Sequence, residues 1–454
     1  MTNMYQYIFG FFSILLLSLW IAAYCGLSVF SHIEGWFLHF QIQPLQPTWI
    51  LCWLSLVFGT YWYIPRAKYQ WLLLFFLALL GQYFMSLSGE NSMLSHTARS
   101  GHAEFVITAS RDFSIDKVFR EYEILVEQPH QRYSPSKPPG QLITYMFFDH
   151  LSPSIDPPQI PPSFADQRHL QLGMFLTFIF PFLAALTTIP FFFLCRELQI
   201  PTKKTWLPVF LYSISSPFLL VIMHFDQAIY PLLTTLILYL LLKSSTYRDK
   251  IGDVLSFFAG CICSISIWIS FSMLAVLPII PFIIHEKHKT DPLPLIFWIR
   301  GILYFLLGCL LPHLLFFIFY DYDPFLRYEK AMIHHANWKG WNNSLNFLLL
   351  SIRVNVLEWI WWLGPTFVLS LYRNHSSHKN VPPAFSSLNY GMFFIVVLLL
   401  CFGKTVAEVN RLWLFLTPLF WIIVTKNVST KIIPQVIAIC VLWTFLLKFG
   451  MDFL

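Results

Sequence analysis

The chain has 454 residues, of which 57% are hydrophobic and only 11% are charged. Soluble domains carry roughly 25% charged residues, so this composition excludes a soluble enzyme, a disordered chain and a small secreted module held by disulfides. The formal net charge is +6, and the basic residues are scattered between apolar stretches instead of forming a nucleic-acid-binding stripe. We therefore expect a polytopic protein that contacts membrane lipid and no nucleic acid.

Apolar stretches in chain order predict about thirteen transmembrane helices, since a bilayer core about 30 Å thick requires roughly 20 apolar residues per helix. The stretch 252–285 predicts either two short helices or one long bent helix. The fold class is therefore all-α, with an N-terminal pair of helices in 1–64, a catalytic-type membrane module in 65–285 and further membrane helices in 286–454. The predicted spans are 5–30, 46–64, 69–88, 171–194, 205–223, 227–243, 252–269, 271–285, 295–320, 345–371, 389–403, 411–425 and 431–449.

Basic residues orient the predicted helices, because the cytoplasmic loops of membrane proteins are enriched in Lys and Arg. If the N-terminus is cytoplasmic, each of the six loops that follow an even-numbered span is basic. Fewer basic residues occur in the predicted outer segments near 31–45, 224–226, 321–344 and 404–411. We therefore expect a multi-pass protein of the plasma or inner cell membrane, with a cytoplasmic N-terminus and an extracytoplasmic active site.

The polar segment 89–170 is the longest connection between predicted spans and lies on the predicted outer side. Connections longer than about 15 residues are usually functional or disordered. We expect one or two amphipathic helices on the membrane surface, then a rigid proline turn at 133–140 and a further interfacial helix at 141–150. The apolar residues that predict the amphipathic helices are Phe105, Ile107, Phe113, Ile115, Val118, Phe119, Tyr122 and Leu125.

Candidates for chemistry are polar residues in the long loop and in the later outer segments. A carboxylate beside a membrane interface can serve as a general base, while Lys and Arg suit a lipid that carries a phosphate group. The candidates are His102, Glu104, Asp112, Tyr133, Lys137, Asp226, Glu408 and Arg411.

The long outer loop, its acidic residues and the turn Ser136-Lys137-Pro138-Pro139-Gly140 resemble the polyprenyl-phosphate-dependent glycosyltransferases of the GT-C superfamily. Protein O-mannosyltransferases and the lipid A aminoarabinose transferase belong to this superfamily. An Asp or Glu near the start of the loop is their catalytic base, and a Lys-Pro-Pro turn helps bind the donor phosphate. The resemblance implies that Glu104 is the base, with Asp112 second, and that Lys137 binds the phosphate.

A second element, at 404–413, resembles a Gly-Glu-Val-x-Arg-x-Trp stretch of bacterial members of the same superfamily. Glu408, Arg411 and Trp413 occupy the corresponding positions. The resemblance implies that Arg411 lies at the outer end of its span and contacts a lipid phosphate. Asp226 and Glu408, together with Tyr133 and His102 of the loop, are then expected to line the acceptor site or the lipid groove.

The function that the resemblance implies is inverting transfer of a sugar from a polyprenyl-phosphate donor to a glycan, lipid or protein acceptor. Glu104 would take the acceptor proton, and Lys137 and Arg411 would stabilise the leaving phosphate. The scheme requires no cofactor and no metal. Two alternatives stay open, namely a transporter or flippase of lipid-linked sugars, and a glycan polymerase or ligase that uses a diphosphate-linked donor.

Two further patterns give weaker predictions. His334 and His335 lie near Glu329, but the set lacks the ligand spacing of a metal site, so no metal site is predicted. Arg353 and Glu358 lie inside a predicted span, where charges are costly and usually functional. We expect these two residues either to pair with each other or to line the lipid groove.

Overall fold

In the computed structural model, all regular secondary structure of the described residues is helical, and no strand occurs among them. Two of the candidate residues, His102 and Asp112, lie outside these residues. The described residues are 2–24, 34, 40–89, 93–99, 103–111, 114–128, 131–153, 167–221, 224–247, 249–289, 292–371, 386–402 and 405–451.

The α-helices are α1 (Thr2–Tyr24), α2 (Pro47–Tyr63), α3 (Gln70–Leu87), α4 (Met93–Arg99), α5 (Glu104–Ala109), α6 (Ile115–Val126), α7 (Pro139–Leu151), α8 (Gln167–Leu186), α9 (Thr188–Glu197), α10 (Trp206–Ile214), α11 (Ser216–Val221), α12 (Phe225–Ser244), α13 (Lys250–Ile269), α14 (Ile280–Lys287), α15 (Leu295–Tyr320), α16 (Pro324–Trp338), α17 (Leu345–Leu363), α18 (Phe367–Leu371), α19 (Ser387–Phe402), α20 (Val409–Leu412), α21 (Thr417–Asn427) and α22 (Ile433–Gly450). Short 3-10 helices lie at Ile64–Arg66, Ser134–Ser136, Thr202–Lys204, Phe271–Ile279, Gly364–Thr366, Leu414–Leu416 and Thr430–Ile432.

Eight helical segments of the described chain are long and apolar enough to cross a bilayer, so the chain is a multi-pass membrane protein. Ser387–Phe402 and Leu414–Asn427 are shorter apolar helices. The eight long segments are Tyr7–Tyr24, Gln70–Leu87, Arg168–Glu197, Phe225–Ser244, Lys250–Ile269, Leu295–Tyr320, Leu345–Ser370 and Thr430–Gly450.

The predicted count of thirteen spans is not confirmed, because several predicted spans fold as short or broken helices. The predicted span 205–223 is interrupted at Ser215, which has extended backbone angles and separates α10 from α11. The stretch 252–285 is interrupted in the same way at Ser270. A 3-10 helix, Phe271–Ile279, follows this break and leads into α14. The first of the two alternatives for 252–285 is therefore closer to the structure than one long bent helix.

The loop 89–170 contains four short helices, α4 to α7, in its described part. The apolar stripe of α6 is buried, as its sequence pattern predicts, at Val118, Phe119, Tyr122, Leu125 and Val126. This stripe packs against other helices of the protein, because the Phe119 ring stacks on Trp268 of α13 and on Tyr320 of α15. The loop is therefore fastened to the ends of two apolar helices.

The turn before α7 is also fastened to α13. A Cβ atom on Gly140 would overlap the carbonyl oxygen and the indole ring of Trp268, so only glycine permits this close approach. Pro138 and Pro139 occupy the N-cap and the first position of α7, where the missing N–H of proline costs no hydrogen bond. The turn thereby holds Lys137 at a fixed place above the helices.

Burial separates central from peripheral helices. Most residues of α12 are buried, whereas only Phe305 and Gly308 are buried in α15. The helix α15 packs mainly on α13, where Gly260 and Gly308 let the two backbones meet without intervening side chains. Small residues at such contacts are typical of helix pairs in membranes. The central helix α12 begins at Phe225, next to the candidate Asp226.

Candidate functional site

A cavity of about 460 Å³ lies between the loop turn, the first turn of α12, and the helices α16 and α19. One part of its wall is apolar. Residues three apart lie on one face of a 3-10 helix, so Phe271–Ile279 presents Ala275 and Pro278 to the cavity. Residues seven apart share a face of an α-helix, and α19 presents Ile395 and Phe402. The apolar wall is thus built by apolar helical segments of the membrane protein.

The turn at the polar end of the cavity is organised by Glu104. Its carboxylate is 8% exposed and accepts hydrogen bonds from the backbone N–H groups of Arg132 and Tyr133, each at 2.7 Å. The N–H and the hydroxyl of Ser134 donate to the same carboxylate at 2.8 and 2.5 Å. Four donors on one carboxylate fix the backbone of 132–134. The side chain of Glu104 thereby shapes the cavity without lining it.

A second side chain holds the turn from the other side. The hydroxyl of Tyr122 lies 3.2–3.3 Å from the carbonyl oxygens of Ser134, Lys137 and Pro138. Burial raises the pKa of Tyr122 well above its usual value, so the hydroxyl stays a hydrogen-bond donor. Glu104 and Tyr122 together determine the direction in which Lys137 leaves the turn.

Lys137 is the first cation of the cavity. Its Nζ donates to Oδ2 of Asp226 at 2.8 Å and lies 3.3 Å from the hydroxyl of Tyr230. Tyr230 also donates to Asp226 at 3.1 Å and lies 2.6 Å from the hydroxyl of Ser270. Burial would lower the pKa of Lys137, but the carboxylate of Asp226 outweighs burial and raises that pKa. Lys137 is therefore positively charged at every physiological pH.

The second cation, Arg411, is positioned by the segment 405–411. Three residues on one face of α17 hold this segment. Ser351 and Asn355 donate to the carbonyl oxygen of Thr405 at 2.6 and 2.7 Å, and Asn355 accepts from the N–H of Ala407 at 2.8 Å. Glu358 accepts from the N–H groups of the next turn at 3.2 and 3.4 Å. These bonds offset the strain of a left-handed backbone at the two residues before Val409.

Arg411 forms an ion pair inside the cavity wall. Its Nη2 lies 2.5 Å from Oε2 of Glu408, and the other carboxylate oxygen lies 3.4 Å from Nζ of Lys339. Burial would lower the pKa of Arg411, but Glu408 and Asp226 outweigh burial and raise it. Lys137, Asp226, Glu408 and Arg411 are the charged residues that line the cavity. Lys339 pairs with Glu408 from outside this lining, and with it the five groups carry one net positive charge. The site therefore favours an anion.

Helix α16 closes the cavity on the side that faces the loop. Tyr328, Met332, His335 and Trp338 line the cavity, and their spacing of three or four residues places them on one helix face. Arg327, which is 2% exposed, fastens the helix to the loop. Its guanidinium donates to both carboxylate oxygens of Glu123 at 3.1 Å and to the carbonyl oxygen of Pro135 at 2.5 Å.

His335 is the least engaged acid–base group of the cavity. Its neighbours among the charged and titratable groups are Lys339, Lys137, Glu408 and His334. Burial, with help from Lys339 and Lys137, lowers the pKa of His335 to about 4. The imidazole is therefore neutral at pH 7, and one ring nitrogen has a lone pair.

The structure brings five of the predicted site residues to one cavity, namely Tyr133, Lys137, Asp226, Glu408 and Arg411. Glu104 contacts the backbone of Tyr133, which lines the cavity, but Glu104 itself is not a lining residue. Its carboxylate accepts hydrogen bonds from the turn 132–134. Glu104 supports the turn in this structure, and its role as catalytic base stays a prediction. His102 and Asp112 fall outside the described residues.

Sequence reasoning did not find three other residues of the site. Tyr230 follows Asp226 by one helical turn, so its contact with Asp226 was accessible from the spacing. His335 lies on α16 and Lys339 lies on the turn that follows it. Of the two, only His335 was considered from the sequence, as a metal ligand. The sequence signal for His335 is its spacing of three residues from Met332 and from Trp338, which places all three on one helix face.

Arg353 and Glu358 do not pair with each other, and neither lines the cavity. Arg353 is exposed, whereas Glu358 is 1% exposed and binds the backbone of α20. The two residues are five apart on α17, which points their side chains in different directions. Among the described residues, no group of three His, Cys, Asp or Glu side chains is placed to hold a metal ion.

Comparisons with known proteins leave the cavity as the main guide to function. No family model matches the chain, and neither a curated protein nor a solved structure is similar to it.

Proposed function

We propose that the chain is a membrane glycosyltransferase that moves a sugar from a polyprenyl-phosphate donor to an acceptor hydroxyl on the extracytoplasmic side of the cell membrane. One observation carries the proposal. Lys137 and Arg411 meet at the polar end of a cavity whose other wall is formed by apolar side chains of α19 and of the 3-10 helix Phe271–Ile279. A lipid that ends in a phosphate has the same division into a charged head and an apolar tail.

The charge of the cavity supports a phosphodiester as the ligand. A sugar linked to a polyprenol through one phosphate carries one negative charge, which balances the one net positive charge of the site. Lys137 is a point charge with several donors, and Arg411 offers a planar fork that matches phosphate oxygens. Before the donor binds, Asp226 and Glu408 compensate these cations, so the empty site contains no isolated buried charge.

In the proposed reaction, the oxygen of the acceptor hydroxyl attacks the anomeric carbon of the sugar from the side opposite the phosphate. The bond between that carbon and the phosphate oxygen breaks, and its electron pair leaves with the phosphate. A single displacement of this kind inverts the anomeric configuration. Lys137 and Arg411 act by stabilising the second negative charge that develops on the leaving phosphate, which is commonly the largest contribution to catalysis.

The test uses the purified chain in detergent with undecaprenyl-phosphate-linked sugars that are radiolabelled in the sugar, and a membrane extract as the acceptor source. We expect transfer of label with release of undecaprenyl phosphate. We also expect undecaprenyl phosphate to bind more tightly than undecaprenol, because only the phosphate group carries the negative charge that the cations attract. Equal affinity for the two lipids, with no transfer, would contradict the proposal.

The same experiment separates the two alternative functions. A transporter or flippase produces no new glycoside in detergent, since no membrane separates two compartments there. A polymerase or ligase requires a diphosphate-linked donor, which carries one more negative charge than the cavity balances. Transfer from the diphosphate-linked donor alone would therefore replace the present proposal with the second alternative.

A further inference from the structure

The reaction proposed above requires a group that accepts the proton of the attacking hydroxyl, and this group has to reach the cavity. Glu104 does not line the cavity, and four donors of the turn already occupy its carboxylate. Asp226 accepts hydrogen bonds from Lys137 and Tyr230. Protein donors therefore already occupy both carboxylates, and neither is free to accept a hydrogen bond from an acceptor hydroxyl in its present arrangement.

Glu408 is no better placed as the base. One of its carboxylate oxygens lies 2.5 Å from Arg411, and the other lies 3.4 Å from Lys339. Protonation of Glu408 would leave these two cations uncompensated in a partly buried site, which is unfavourable. The carboxylates around the cavity therefore serve to hold cations in place.

Two histidines line the cavity, and they differ in their surroundings. The Nε2 atom of His224 lies 3.3 Å from the Nε2 atom of His96. In contrast, neither ring nitrogen of His335 has a hydrogen-bond partner among the described residues. His335 faces the cavity from α16, on the same helix face as Tyr328 and Met332. The cations that act on it most strongly are Lys339 and Lys137, and Lys137 is one of the two cations of the proposed phosphate site.

We infer that His335 is the general base of the transfer, an assignment that rests on the proposed function. As the acceptor oxygen attacks the anomeric carbon, the proton of the hydroxyl passes to a ring nitrogen of His335. The electron pair of the broken carbon–oxygen bond goes to the phosphate of the polyprenyl phosphate. The products are the new glycoside, the polyprenyl phosphate with one more negative charge, and the imidazolium of His335.

The charges around the cavity balance at both stages of this step. Before transfer, the net positive charge of the site matches the single charge of the phosphodiester, and the low pKa of His335 keeps its imidazole neutral. After transfer, the phosphate monoester carries up to two negative charges, and protonated His335 supplies the second positive charge. The developing phosphate charge thereby raises the proton affinity of His335 as the reaction proceeds.

The experiment compares His335→Gln and His335→Ala with the neighbouring variant His334→Gln. His334 is not among the lining residues of the cavity, and its Nε2 lies 3.3 Å from the carbonyl oxygen of Arg132. With an undecaprenyl-phosphate-linked sugar as donor, we expect kcat to fall at least about 100-fold in both His335 variants, the usual contribution of a general base. The affinity for undecaprenyl phosphate and the activity of His334→Gln should stay at the wild-type level.

Added imidazole separates a chemical role from a structural one. We expect imidazole in solution to restore part of the transfer activity of His335→Ala, because the truncated side chain leaves room for it, and to leave His335→Gln inactive. Wild-type kcat in His335→Gln would overturn the assignment of His335 while leaving the proposed function in place. Inactive His335→Ala that imidazole does not rescue would also overturn it. Absence of transfer by the wild-type protein would overturn the proposed function and this assignment together.

Discussion

Buried ion pairs join helices at both ends of the molecule, but they have different surroundings. At the cavity end, Lys137 and Asp226 are 2.8 Å apart with side chains 16% and 11% exposed. At the opposite end, which we call the basic end, Lys287 and Glu197 are 2.7 Å apart and 8% and 17% exposed. Lys287 also donates to a carbonyl oxygen and a hydroxyl, and Lys243 provides Glu197 with a second cation. Lys137 and Asp226 also have a hydroxyl partner, Tyr230, but both charged side chains line the cavity.

The difference shows what an ion pair contributes in each place. The pairs of the basic end are satisfied by protein groups from α9, α12 and α14, so they contribute to the stability of the helix packing. The pairs of the cavity end keep their cations charged while one side of each pair faces the cavity. A ligand phosphate can therefore take the place that protein groups fill at the basic end. The predictions below separate binding from stability at the two ends.

The largest effect is expected for Lys137→Ala. Loss of a charge-assisted hydrogen bond should weaken the binding of undecaprenyl phosphate by about 2–3 kcal/mol, which is about 30- to 150-fold. Because Asp226 loses its partner, the double variant Lys137→Ala/Asp226→Asn should recover stability without recovering binding. The measurement is a lipid titration followed by tryptophan fluorescence, with Lys243→Ala at the basic end as control. Loss of binding in Lys243→Ala and not in Lys137→Ala would place the lipid site at the basic end instead of the cavity end.

The next largest effect concerns the support of the turn. Glu104→Gln preserves the shape of the side chain but points an NH₂ group at backbone donors, so we expect a loss of about 2 kcal/mol in the free energy of unfolding. Activity should fall together with stability. The measurement is denaturant unfolding in detergent beside the transfer assay. A variant of wild-type stability without activity would instead support Glu104 as the catalytic base.

A smaller effect is expected from pH. The pKa of His335 is about 4 in the folded protein and about 6.5 in an unfolded chain, so the unfolded state binds more protons between these values. The free energy of unfolding should therefore decrease as the pH falls from 6.5 to 4, by about 2–3 kcal/mol from this residue. The groups around it are Lys339, Lys137, Glu408 and His334. His335→Gln should show a shallower decrease, and equal slopes would contradict the prediction.

The smallest effect is expected at the basic end. Glu197→Gln removes one charge from a set that includes two cations, and we expect it to reduce the free energy of unfolding by about 1 kcal/mol. Binding of undecaprenyl phosphate and transfer activity should not change. The same unfolding and lipid titration experiments measure both quantities. A change in lipid affinity would show that the two ends are coupled and would contradict the expectation that the basic end affects stability alone.

The sequence predicts the apolar helices better than the site. The prediction of a span at 295–320 matches α15, Leu295–Tyr320, because a peripheral helix consists almost entirely of apolar residues. Lys137 and Arg411 were also found, since each lies in a distinctive local pattern. The two meet only in the folded chain, through hydrogen bonds that α5, α6 and α17 make to the backbone of their segments.

Roles that depend on distant backbone groups were not accessible from the sequence. The partners of Glu104 are N–H groups 28 to 30 residues away, and no local pattern indicates them. The spacing of His335 from Met332 and Trp338 places the three on one helix face, but only the folded chain shows that this face lines the cavity. No proline lies next to the break at Ser270, and at Ser215 the local signal is Pro217 in the first turn of α11. The predicted span 205–223 ran through the break at Ser215, so the span count differed.

The contact between Arg327 and Glu123 has a consequence for the biosynthesis of the protein. The two residues are 204 positions apart, so a ribosome that adds about 5–20 residues per second needs about 10–40 s to pass from one to the other. During that interval the nascent chain already carries Lys137 and Asp226, while α16 does not yet exist. A lipid phosphate of the kind proposed would therefore meet an incomplete pocket, which gains His335 only after translation has passed α16.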